Sequence, residues 1–111
     1  MKISKQYIYD EGDGTVTFID DRVFLDCKNY QLEQTRNKAK ELILNVAPEY
    51  KQRNALFGLL TEQETQQLKD SIQAIRTISN QKEAEINAIV WDGEESTRAA
   101  ACDAVQSIMW E

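Results

Sequence analysis

The stretch "TEQETQQLKDSIQAIRTISNQKEAEINAI", Thr61 to Ile89, decides how the chain is read. Its opening "TEQE" is a capping box: the Thr61 hydroxyl can accept from the Glu64 amide while the Glu64 carboxylate reaches back, and Glu62 sits well against the positive helix end. Behind it Leu68, Ile72, Ile75, Ile86 and Ile89 recur at heptad-like spacing, with Ser79 and Lys82 at the seam positions between them. "SNQKE" is either a break capped by Asn80 or a polar step in one long helix. With no Gly or Pro in it, continuity is the expectation.

Upstream, "PEYKQRNALFGLL" joins this helix to another. In "NYQLEQTRNKAKELILNVAPEY" the residues Leu32, Thr35, Ala39, Leu42, Ile43 and Val46 make one apolar stripe, with Arg36, Lys38 and Lys40 on the wet side. Pro48 ends or kinks that helix, because it cannot donate to the ladder and disfavours helical geometry at Ala47. It is also suited to open a new helical turn, whose Tyr50, Leu56, Phe57 and Leu60 gather near the bend. Gly58 and Thr61 set the next boundary.

The first 27 residues differ in kind. "KISKQYIY" and "TVTFI" are rich in β-branched and aromatic residues and are joined by the polar loop "DEGDG", which predicts an antiparallel hairpin. Ile3, Tyr7 and Tyr9 share one parity, and Val16 with Phe18 can face them across the ladder. A third run, "RVFLDC", makes a three-stranded meander or an extended arm equally readable. An isolated hairpin is marginal in water and needs a helix or a second chain over its apolar face. At the other end, Asp92 and Gly93 turn the chain, Asp92 with Glu95 offers a cap, and a last helix aligns Ala99, Cys102, Val105, Ile108 and Met109. Trp91 and Trp110 bracket that helix as anchors of a core or an interface.

The reading is therefore α+β: an N-terminal antiparallel β-hairpin or three-stranded meander followed by three or four helices, including a long helix in a helical hairpin. One domain over residues 1–111 is expected, divided into a β arm (1–28), a kinked helical segment (29–60), the long helix (61–91) and the C-terminal helix (92–111). A chain of 111 residues with 41% hydrophobic content supports one modest core. No run reaches the roughly 18 apolar residues of a membrane span, and no apolar leader precedes the charges of "MKISKQYIYDEGDG", so synthesis in the cytoplasm without membrane contact is expected. Cys27 and Cys102 read as buried reduced thiols.

The chain contains no histidine. That removes Ser-His and Cys-His nucleophile systems and an imidazole base, and two cysteines fall short of a tetrahedral zinc set. No catalytic residue, cofactor or metal is therefore expected. The acidic group Asp10, Glu11, Asp13, Asp20 and Asp21 lacks the spacing of a calcium loop and is better explained by turn chemistry. Charge is uneven: residues 1–27 carry −3, residues 28–54 carry +3 and residues 55–111 carry −6. The basic stripe Arg36, Lys38, Lys40, Lys51 and Arg53 sits in an acidic chain without a nucleic-acid motif, so no nucleic-acid partner is expected. Such asymmetry instead suits contacts with other proteins or with copies of the same chain.

Over Pro48 to Ile89 the chain resembles segments of small tail or tail-fibre-associated proteins of tailed bacteriophages. There an aromatic-Lys-Gln-Arg-Asn string precedes a helix carrying Ile-Arg-x-x-Ser-Asn and then Glu-x-x-Ile. The matching positions are Tyr50, Lys51, Gln52, Arg53 and Asn54, then Ile75, Arg76, Ser79 and Asn80, then Glu83 and Ile86. The resemblance implies a non-enzymatic structural or assembly component of a phage tail, baseplate or fibre attachment region, located in the virion. Its partners would be other tail proteins and a second copy of itself. A small phage-encoded inhibitor of a host defence protein is the alternative. Tyr50, Lys51, Arg53, Asn54, Phe57, Arg76, Trp91 and Trp110 are the expected interface residues, with Lys51 and Arg53 meeting Glu83, Glu85 or a neighbouring subunit.

Overall fold

A computed structural model describes residues 1–110. Two strands, β1 (Gln6–Tyr9) and β2 (Val16–Ile19), form an antiparallel hairpin; α1 (Phe24–Val46), α2 (Glu49–Leu56), α3 (Glu62–Ala88) and α4 (Glu95–Gln106) follow. The α+β layout with a long helix is thus as read from the sequence. The register pairs Tyr7 with Phe18 and Tyr9 with Val16, which puts the aromatic parity on one face. Gly14 closes the loop at φ 72°, a region open to glycine at no steric cost.

The run "RVFLDC" is not a third strand. Phe24 opens α1, so the β arm is shorter than expected and the helix begins five residues before Asn29. Phe24, Cys27, Gln31, Thr35 and Ala39 form its inner stripe, and the last four are buried. The helical period wins over β-propensity because this stripe meets α3 and α4, whereas a third strand would have had no layer to cover it.

Pro48 breaks the chain after α1, with Ala47 fully buried at the corner and Gln52 Nε2 donating to its carbonyl at 2.7 Å. Gly58, at φ 71°, ends α2. The capping box forms as predicted: Glu64 N–H donates to Thr61 Oγ1 and Thr61 N–H to Glu64 Oε1, both at 3.1 Å. From there α3 runs unbroken for 27 residues through Ser79 and Asn80. Ser79 is buried on α3, which packs along α1.

The core lies at one end. Cys27, Ile86, Cys102 and Val105 are fully buried, and Ile3, Phe24, Leu32, Ile89 and Ile108 pack around them. Lys28 Nζ closes the C-terminus of α3 by donating to the carbonyls of Ile89 (3.1 Å) and Asn87 (3.4 Å), where a cation suits the negative helix end. Away from this three-helix end α1 and α3 continue as a pair, with Leu42, Ile43, Leu68, Ile72 and Ile75 only half-buried. The chain measures 68 × 34 × 20 Å with a radius of gyration of 20.5 Å, against about 13 Å for a compact domain of this length.

Candidate functional site

The proximal end is locked by Arg22. Only 2% exposed, its guanidinium donates from Nε (2.9 Å) and Nη2 (2.7 Å) to the two carboxylate oxygens of Asp20. Nη1 meets Asp103 and the Gln106 side-chain oxygen, each at 2.8 Å, and Nη2 also reaches the Ala99 carbonyl. The Arg22 hydrogen bonds hold the Asp20 carboxyl down at about 2. Gln106 in turn donates to the Ile3 carbonyl at 2.6 Å. One buried cation thus ties the strand exit, α4 and the N-terminal segment together.

Cys27 and Cys102 are both buried and free. Burial, then the neighbouring Cys102, push the Cys27 thiol up to about 11, so it is protonated and inert at neutral pH. Most of the acidic group of the hairpin is likewise engaged in local bonds. Asp10 accepts from the Gly12 amide, Asp13 from the amide and hydroxyl of Thr15, and Asp21 from Lys2 and Gln6. Among the described residues no cluster of three or more metal-ligating side chains is present.

Among the described residues, exposed apolar side chains cluster on the hairpin and at the α2 end. On the hairpin, Tyr7 (65% exposed) and Phe18 (64%) pack edge to face with ring centroids 4.6 Å apart, flanked by Tyr9 and Val16. Among the described residues no helix lies across this face. At the far end of α1, Leu56, Phe57 and Leu59 stand 70% or more exposed, with Tyr50 beside them. A shallow recess lined by Val46, Leu60, Leu68, Lys51 and Glu64 adjoins them. The hairpin precedes α1 and α2 follows it, so the length of that helix, about 34 Å, separates the two surfaces.

Of the expected interface residues, Tyr50, Lys51, Arg53, Asn54 and Phe57 gather on or next to α2 at this tip. Arg76 stands exposed midway along α3. The tryptophans belong to the packing at the other end: Trp91 Nε1 donates to the Glu94 carbonyl (2.9 Å) and its ring tilts on Phe24, while Trp110 Nε1 donates to the Thr35 carbonyl (3.2 Å). Glu83 pairs with Arg36 across the helical hairpin and Glu85 with Lys82, so neither meets Lys51 or Arg53. Asp92 accepts from the Glu94 amide and the Thr97 hydroxyl, so the expected cap toward Glu95 is shifted. Sequence reasoning missed Arg22; an arginine behind two aspartates at a strand-to-helix junction was the only local signal.

No protein-family model, no curated protein and no solved structure matches the chain.

Proposed function

We propose that the chain is a non-enzymatic structural or assembly component of a bacteriophage tail, in the tail, baseplate or fibre attachment region. It works by burying surface against other tail proteins and against a second copy of itself, in the virion after synthesis in the host cytoplasm. The observation that carries the interaction role is the exposure of aromatic side chains on the hairpin and of leucine and aromatic side chains at the α2 tip. Tyr50, Phe57 and Leu56 at the tip have the size and exposure of anchor residues, and Lys51, Arg53 and Asn54 supply directed polar contacts around them. The tail itself is inferred from the resemblance of the strings between Tyr50 and Ile86. The same segment supplies the tip.

Sedimentation of particles from infected cells tests this reading. The chain is expected to travel with purified tails and to be lost from them in a Phe57→Asp variant. A chain absent from tails that instead holds one host defence protein would overturn it in favour of the inhibitor.

A further inference from the structure

The hairpin is a two-stranded sheet with both edges open, one aromatic face uncovered, and no helix against it. Pairs of strands in this state are marginal in water, and an open edge is a template for another strand. Nothing on β1 blunts that edge: "QYIY" contains no proline and no charge. A cleft lined by Lys5, Tyr7, Asp103 and Gln106 lies between β1 and α4.

The phase of the ladder says which groups that edge offers. At the loop the Asp10 N–H donates to the Thr15 carbonyl at 2.8 Å, which makes Asp10 and Thr15 a hydrogen-bonded pair. Alternation along an antiparallel ladder then makes Tyr9 with Val16 and Tyr7 with Phe18 the non-bonded pairs. The N–H and C=O of Tyr7 and Tyr9 therefore point away from β2, free for a new strand.

We propose that a second copy of this chain pairs antiparallel along β1, giving a two-fold, four-stranded sheet centred on Ile8. This rests on the reading of the chain as one that acts through protein contacts and names its first partner. Charge selects the edge. Lys5 precedes β1 and Asp10, Glu11 and Asp13 follow it, so antiparallel pairing of β1 with itself brings Lys5 of each copy toward the acidic loop of the other, while Lys2 stays with Asp21 of its own chain. Pairing through β2 would instead set Asp20 and Asp21 of one copy beside the acidic loop of the other. Like charges there oppose it.

Charge and hydrogen bonding also select the register. Tyr7 must bond a residue whose own groups point outward, and opposing Tyr9 of the second copy satisfies this. Lys5 then lies beside the turn that carries Glu11 of the second copy, and Ile8 meets Ile8 on the two-fold axis. Directly opposed residues lie on one side of a sheet, so the Tyr7, Tyr9 and Phe18 faces of both copies join into a single aromatic surface.

The Ile8 pair is a non-bonded one, with Cα atoms about 4.5 Å apart, within disulfide reach. Ile8→Cys is therefore expected to form a covalent dimer on mild oxidation of the full chain, whereas Thr17→Cys on β2 stays monomeric; the native thiols are buried and do not compete. Lys5→Glu and Glu11→Lys are each expected to weaken dimerisation about tenfold by analytical ultracentrifugation at low salt, and the double reversal to recover it. Helicity by circular dichroism is unchanged in all of them. A monomeric Ile8→Cys chain, cross-linking through Thr17→Cys, or a double reversal no tighter than the single ones would overturn the proposal. If the isolated chain fails these tests while still travelling with tails, only this inference falls; a β1-paired dimer absent from tails removes the tail reading and leaves the pairing intact.

Discussion

Arg22 is the side chain on which most of the proximal architecture converges, and its chemistry sets the consequence of removing it. A guanidinium with its side chain 3% exposed has lost its hydration and recovers it through Asp20, Asp103 and Gln106. Replacing it with methionine leaves the partly covered Asp20 without its cation, and breaking such a pair from one side costs about 3 kcal/mol. Urea unfolding of Arg22→Met is expected to report a loss of that order. Asp103→Asn, at a side chain 61% exposed, should cost well under about 1 kcal/mol. The pH dependence follows from Asp20. Its carboxyl falls from 3.8 to about 2 in the folded chain, so the unfolded chain takes up the proton first as pH drops. The stabilisation is complete above about pH 4 and is lost toward pH 2. Asp13, Glu64 and Asp92 are lowered too, each held chiefly by hydrogen bonds, and steepen the same acid limb. Acid titration of the melting temperature is expected to be flatter in Asp20→Asn than in the parent.

At the scale of elements, what the sequence discloses depends on whether the deciding contacts are local. The hairpin and the start of α3 are written within a few residues: two β-branched runs about a glycine loop, and Thr61 three residues before Glu64. Thr61→Ala is accordingly expected to cost about 1 kcal/mol, measured by chemical unfolding followed at 222 nm. The first turn of α1 was illegible for a specific reason. Its inward stripe runs from Phe24 and Cys27 through Gln31 to Thr35, and the polar Gln31 breaks the apolar period that would join the β-branched and aromatic run "RVFLDC" to the stripe from Leu32 onward. Only the fold reveals that Gln31 Nε2 donates to the Ile108 carbonyl and the Thr35 hydroxyl to the Gln31 carbonyl, which lets both be buried. Ser79 is the same case on α3: an apparent gap in the seam is a buried position. The exposure of the α2 group follows from its place behind a proline break, whereas the inward hydrogen bonds of Trp91 and Trp110 do not follow from residue size, which leaves an anchor free to turn either way.

For the molecule as a whole, the governing fact is that its packed nucleus occupies one end of a 68 Å body. Substitutions at the tip therefore touch little that holds the chain together. Leu56→Ser with Phe57→Ser is expected to change stability by less than about 0.5 kcal/mol while abolishing the proposed contact there, the first read by calorimetry and the second by loss of the chain from purified tails. The half-buried run from Leu42 and Ile43 to Leu68 and Ile72 has a further effect. Local opening grows easier where fewer apolar groups are shielded, so amide protons along α3 should trade with deuterium ever faster from Ile86 back toward Leu68. A protein clamping the α2 end would flatten that gradient, and its grip would be felt as slowed exchange several helical turns beyond the last atom it touches.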